Sequence, residues 1–269
     1  MDQNRTEQKE VDQGSAAGME SGKKREAGKR RSIGGVLTER DRTACLWVCE
    51  QGVMTVEQLW RAVWWTPESR SPRYAYDRAL FLERNGFLEG IRSPHSLKTY
   101  FKASRLAQEA ASQLDGGLAL VPLHSPPINE IGHADGLTEL RLAVLRSGRM
   151  GNSSSTKPWR TDRVLMIDPE FPRERFYQHL PDAIWLTPSG NRIALEYERT
   201  RKVFSRVRTK VEAFSRELAR PDRTFDRVLW ISAPGALSVL SQALASHPEQ
   251  TLRTMDQFLA ELKEKVRDV

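Results

Sequence analysis

Along residues 37–114 the apolar positions recur first at helical and then at strand spacing. Thr38, with Asp41 three residues on, has the hydroxyl-then-carboxylate arrangement of a capping box ahead of Ala44, Cys45 and Val48. A first helix is predicted from there to Gly52. Thr55 opens a second, with Val56, Leu59, Trp60 and Val63 on one face. Thr66–Pro72 reads as a turn, and Ala75, Ala79 and Leu82 mark a third helix that stops at Asn85-Gly86, a left-handed terminator. Residues 87–91 and 99–102 flank Ser93-Pro-His-Ser96 as two short strands, and a helix over about 104–114 follows.

Three short helices and then a hairpin is the winged helix-turn-helix order, so a winged helix-turn-helix domain is expected over residues 36–115. Residues 116–130, with Gly116-Gly117 and Pro122–Pro127, read as a linker. Leu137, Leu140 and Val144 then give a second unit its first helix, ending near Gly148, and residues 151–157 are polar. Strands are predicted over 159–167, 182–187 and 193–197, the last two joined through Ser189-Gly190-Asn191. Phe204, Val207, Val211, Phe214 and Leu218 repeat at three and four as an amphipathic helix. A fourth strand over 228–231, a helix over 236–244 and a closing helix over 255–266 complete an α/β domain spanning 131–269, with a central mixed sheet between helices. The chain as a whole is expected to be α+β.

Residues 1–35 are nearly devoid of large apolar side chains and are predicted to be a disordered basic tail. No stretch approaches the roughly 20 uncharged residues of a bilayer crossing, so no membrane association is expected. The two cysteines, Cys45 and Cys49, lie four apart on one helix. That is poor geometry for a disulfide and too few ligands for zinc, so together with the absence of an apolar leader it points to the cytoplasm.

The charge balance, 42 Lys and Arg against 35 Asp and Glu for a net +7, favours a polyanionic partner, and double-stranded DNA is the one expected. Six of the basic residues fall within 23–31 and eight within 199–220. On the third helix Arg70, Arg73, Tyr74 and Arg78 are expected to face a major groove, while Arg92, His95 and Lys98 of the hairpin meet the backbone or minor groove. Arg201, Lys202, Arg206, Arg208 and Lys210 lie outside the apolar stripe of the amphipathic helix and are expected to face solvent and phosphates. Trp60, Trp64 and Trp65 exceed what one monomer core needs, which suggests a homodimer or an interdomain surface.

The candidate chemistry lies in the acidic residues of the second half. Pro181-Asp182 opens one strand, and Glu196 and Glu198, two apart on the next, point to the same side. Carboxylates so clustered suit Mg²⁺ or Mn²⁺, which activates water and neutralises charge building on a phosphodiester. Asp182 and Glu196 are the candidate metal ligands, with Glu139 on the preceding helix as an outer one. The candidate catalytic set is Asp182, Glu196, Glu198 and Lys210. His133 and His179 lie near these elements and are given no role.

The segments Leu180-Pro-Asp-Ala-Ile-Trp185 and Leu195-Glu-Tyr-Glu-Arg-Thr200, followed by a basic helix with Lys210 in its middle, resemble the PD-(D/E)XK restriction-endonuclease-like superfamily. Preceded by Leu37-Thr-Glu-Arg-Asp41 and Leu82-Glu-Arg-Asn-Gly86, residues 36–232 resemble bacterial replication-relaxation proteins, among them accessory factors of plasmid mobilisation. The resemblance implies a DNA-binding protein of plasmid or mobile-element replication or mobilisation that assists a relaxase and regulates transcription. Two alternatives are an active metal-dependent DNA endonuclease of defence or DNA processing, and a transcriptional regulator with a catalytically dead nuclease fold. One departure bears on cleavage. The superfamily pattern has a lysine two residues after the strand carboxylate, where this chain has Glu198, leaving Arg199, Lys202 or Lys210 as the cations at hand.

Overall fold

The structure is a computed structural model that describes residues 37–66, 71–93, 96–114, 123, 126–151, 157–176 and 179–264. These belong to one compact unit, Val36–Val269. The tail over 1–35, most of the linker, Arg70 and His95 lie outside the described residues.

Helix α1 (Glu39–Gln51) starts at the expected box. Asp41 N–H donates to Thr38 Oγ1 at 3.2 Å, and Thr38 N–H donates to Asp41 Oδ2 at 2.9 Å. Strand β1 (Met54–Thr55) precedes α2 (Val56–Leu59), whose Thr55 and Gln58 cap each other in the same way. The chain then widens into a π-helical turn, Trp60–Trp64, a local change that turns Trp64 into the core while Trp65 stays half exposed. Helix α3 (Arg73–Arg84) ends before Gly86, whose φ of +77° carries the chain back toward β2 (Leu88–Arg92). Strand β3 (Thr99–Ala103) returns antiparallel to β2 and pairs with β1 on its other edge, and α4 (Arg105–Ser112) closes this half. Leu59, Trp64, Ala79, Leu82 and Phe101 form its buried centre.

The second half begins with α5 (Ile131–Arg146), followed by β4 (Trp159–Thr161), α6 (Asp162–Leu165), β5 (Ala183–Leu186) and β6 (Arg192–Glu198). It continues through α7 (Phe204–Leu218), β7 (Arg227–Ser232), α8 (Leu237–Leu244), β8 (Gln250–Thr254) and α9 (Met255–Glu264). The five strands run in the order β4-β5-β6-β7-β8, antiparallel from β4 to β6 and parallel from β6 to β8. The sheet is mixed and the fold combines helices and strands, as expected at that level. Alternate residues serve opposite faces: Ile184, Ala194 and Trp230 pack with Val207, Val211 and Phe214, whereas Ala183, Leu195 and Ile231 pack with Leu137, Leu140 and Phe258.

Two expectations need correction. The strand predicted over 159–167 stops at Thr161, because the chain turns into α6 there, with Asp162 Oδ1 accepting from Arg163 N–H at 2.8 Å and Asp162 N–H donating to the Asp182 carbonyl at 3.0 Å. Strand β8 has no counterpart among the predicted elements. It is an edge strand with one fully buried residue, Gln250, so its apolar alternation is faint.

The two halves are joined through buried contacts. Leu142 of α5 enters the core of the helical half, and Ile131 and Ala134 meet Val53 and Tyr100. Glu50, at the end of α1, takes Arg141 and Lys157, each at 2.8 Å, while its carbonyl accepts from Thr161 Oγ1 at 2.8 Å.

Candidate functional site

Strand β6 places Glu196 and Glu198 on one side by simple alternation, both buried. Because β5 runs antiparallel to β6, its beginning lies beside the end of β6, and that brings Asp182 to the same rim of the sheet. Asp182 Oδ2 accepts from Tyr197 N–H at 2.7 Å, and Glu196 Oε1 accepts from Asp182 N–H at 3.3 Å. The three carboxylates therefore share one rim.

Helix α7 then corrects one expectation. Its exposed face carries Arg206 and Arg208, but Lys210 turns inward and donates to Glu196 Oε2 at 2.5 Å. The aliphatic stem crosses toward Phe214, with the ammonium 5.7 Å from the ring centroid. Thus Lys210, a candidate for catalysis, stands where the sequence pattern had put a solvent-facing cation. Lys202 likewise folds back onto Glu198, at 2.6 Å. Arg201 is exposed.

Two groups complete the rim. His133 Nε2, from the first turn of α5, is 3.4 Å from Asp182 Oδ1, and its ring stacks on Tyr197 with centroids 5.6 Å apart. Asp162, at the start of α6, is tied to the Asp182 carbonyl through its backbone. Neither was assigned from sequence: an isolated histidine carries no pattern, and Asp162 reaches the rim only because β4 ends early. Close packing fixes α5 here, since a Cβ on Gly136 would stand 2.2 Å from Tyr197 Cε1.

The electrostatics follow from these neighbours. Burial and the adjacent Asp182 charge push Glu196 up to about 8, against the pull of Lys210. Burial works against ionising Asp182 as well, yet His133, Lys210 and the Tyr197 N–H hold it down at about 2. Burial disfavours charge on His133 and Lys210, and the carboxylates outweigh it, so both are raised. Burial and the Asp182 charge raise Asp162. The arrangement joins a fixed anion, Asp182, to a carboxyl that exchanges a proton near neutral pH, Glu196, and that pairing can serve general acid or base chemistry.

Other predicted site residues lie apart. Glu139 is on α5 six residues beyond His133, roughly 9 Å of helix rise. Its oxygens take Arg61 at 2.7 and 2.5 Å and Gln58 at 3.0 Å, so it does not join the rim. Arg78 does not stand free toward a groove: its guanidinium grips the buried Asp41 and lies 4.3 Å from the Phe81 ring centroid. Arg73 and Tyr74 are exposed on α3, Arg73 with Asp77 at 3.4 Å. Arg92 is exposed on the hairpin, and Lys98 is 3.8 Å from Asp135. The histidine His179 lies next to Leu180, and burial and nearby cations lower it.

Among the described residues no group of three or more His, Cys, Asp or Glu side chains is arranged to hold a metal ion. As placed, Asp182 and Glu196 do not fit Mg²⁺ or Mn²⁺, because the cationic position at Glu196 Oε2 is taken by Lys210 and the remaining oxygens accept from backbone or face His133. Lys210 and Lys202 supply the positive charge beside Glu196 and Glu198. Cys45 and Cys49 are buried free thiols, each pushed up to about 12 chiefly by burial. Among the described residues no helix is long and apolar enough to cross a membrane. Family models, curated proteins and solved structures give no match to this chain.

Proposed function

We propose that this protein binds double-stranded DNA in the replication or mobilisation of a plasmid or other mobile element, assisting a relaxase, the role that its resemblance to replication-relaxation proteins implies. The observation that carries the reading is an adjacency through α5. Lys98, in the turn that joins β2 to β3, is 3.8 Å from Asp135, and His133, two residues earlier on the same helix, is 3.4 Å from Asp182. A duplex engaged by Arg92 and Lys98 would pass within one helical turn of the acidic rim.

Further features support the reading. Three helices followed by a hairpin fit a winged helix-turn-helix, with Arg73 and Tyr74 on the exposed side of α3 opposite Ala75, Ala79 and Leu82. The mixed sheet with Asp182, Glu196 and Lys210 at one rim fits an endonuclease-like domain. Arg201, Arg206 and Arg208 add an exposed cationic stretch beside that rim. Assistance rather than cutting is favoured because Glu198 holds the place of the usual lysine and Lys210 holds the place of a cation.

The test combines binding with cleavage. Duplex affinity measured against salt should fall steeply, and Arg92→Ala with Lys98→Ala should lower the slope of log K against log salt by about 2, one for each phosphate no longer neutralised. Supercoiled plasmid incubated with Mg²⁺ or Mn²⁺ should stay intact, while a relaxase acting at its own origin should nick faster when this protein is added. Absence of salt-sensitive DNA binding would refute the reading. Nicking lost in both Asp182→Ala and Glu196→Ala would establish the endonuclease instead, and binding without any effect on a relaxase would favour a transcriptional regulator.

A further inference from the structure

Between α5 and α9, on the side where Arg61 approaches, lies a cavity of about 530 Å³, within the range that holds a small organic molecule. Its floor is apolar, with Leu142, Ala143, Leu259 and Leu262. Its rim is cationic: Arg61, Arg146 and Lys263 surround it, with Glu139 as the carboxylate among its lining residues. Glu139 is already engaged, both oxygens by Arg61 and one also by Gln58. The side chains of Arg146 and Lys263 make no hydrogen bond or ion pair among the described residues. Burial and the Arg61 charge both press the Arg146 guanidinium below its usual pKa, against the weaker help of Glu139. That is the situation of a cation short of an anion.

The geometry points to a binding site for a small amphipathic carboxylate, its apolar body on the leucine floor and its head between Arg146 and Lys263. An arginine fork matches a carboxylate with two parallel hydrogen bonds. A DNA backbone is the wrong occupant, since it is polar along its length and would leave the leucine floor unfilled. The site stands independently of the DNA-binding reading, and its test uses no DNA.

The probe is 4-phenylbutyrate, titrated calorimetrically into the full chain, with 4-phenylbutanol as its uncharged counterpart. The acid should bind one to one, saturating below about 1 mM, and about tenfold more tightly than the alcohol. Arg146→Ala should weaken the acid at least about fivefold and leave the alcohol unchanged, because the guanidinium holds only the carboxylate head. Ala143→Phe should abolish binding of both by filling the floor. Circular dichroism and unfolding midpoints check that each variant folds, and Arg146→Glu, a change at the exposed rim, repeats the head-group test by charge reversal. No saturable binding, equal affinity for acid and alcohol, or binding of the acid that is indifferent to both Arg146 variants would overturn the proposal. Sedimentation with phosphatidylglycerol vesicles that depended on Arg146 would overturn it too, by making the patch a lipid-headgroup surface.

Discussion

Glu50 and Glu196 are the same residue type, exposed to only 2% and 0%, and each is paired with a cation from outside its own element. Glu50 receives two, Arg141 and Lys157, each at 2.8 Å, and although burial pushes it up the pair brings it below the usual glutamate range. Glu196 receives Lys210 at 2.5 Å but has Asp182 and Glu198 as neighbours, and it is pushed up to about 8. Burial alone therefore does not decide whether a carboxyl is held charged or kept protonated. The local balance of charge does: a carboxylate saturated by cations holds two halves of a protein together, and one crowded by other carboxylates keeps an exchangeable proton. Helix α5 serves both, with Arg141 at Glu50 and His133 at Asp182.

The largest effect should come from Glu50→Gln, which leaves Arg141 and Lys157 without their buried anion and should cost about 3–5 kcal/mol in urea unfolding. Glu196→Gln, measured at pH 6, should cost about 1 kcal/mol or less, because the amide reproduces the protonated carboxyl. Equal losses would erase the distinction between the two sites.

The pH dependence separates them next. Between its ordinary value of 4.5 and about 8, Glu196 makes the folded chain hold a proton that the unfolded chain has released. Stability therefore falls as pH rises through that window, with a limiting slope of about 1.4 kcal/mol per unit. His133, raised from 6.5 by Asp182 despite burial, contributes stability below 6.5 that is lost as pH climbs through its folded value, the same sign. Glu50 and Asp182 are depressed and act oppositely: what they contribute is present above 4.5 and 3.8 and is lost on acidification. Urea midpoints between pH 5 and 8 should fall in the wild type and fall less in Glu196→Gln. An unchanged slope would remove Glu196 from the account.

Gly136→Ala probes the helix that both sites share. The new methyl would meet the Tyr197 ring, and overpacking there should cost about 1–3 kcal/mol in thermal or urea unfolding. A loss below about 0.5 kcal/mol would mean that α5 is not pinned at the rim. The smallest effect is expected from Arg208→Ala. Its pair with Glu212, four residues on along α7, is exposed at both ends and screened, so the loss should be at most about 0.5 kcal/mol and should shrink in high salt.

Much of the fold was legible because it is written in local chemistry. Thr38 with Asp41, Thr55 ahead of Val56, and Gly86 after Leu82 set helix ends by interactions a few residues apart, and the repeat from Phe204 to Leu218 gave α7 its full length. Of the candidate site, Asp182, Glu196 and Glu198 could be placed together because strand alternation and an antiparallel turn are short-range rules. Lys210 was named for chemistry, but its periodicity assigned it to solvent, since a lysine stem can cross an apolar surface in either direction. Asp162, His133 and β8 had no such signal: the first depends on a strand stopping early, the second on a helix from another part of the chain, and the third on one buried side chain at a sheet edge.

By itself, then, the sequence determined the capped starts of α1 and α2, the apolar stripe of α7, and that acidic groups gather near the end of β6. Only the tertiary structure decided which charges meet. It sent Arg78 to Asp41, Arg61 to Glu139 and Lys210 to Glu196, leaving Arg146 at the rim of an apolar cavity without an anion of its own among the described residues. The reason is physical: hydrogen bonds and turn preferences act over a few residues, whereas desolvation and Coulomb energy depend on every group that packing brings within a few ångströms, whatever its distance along the chain.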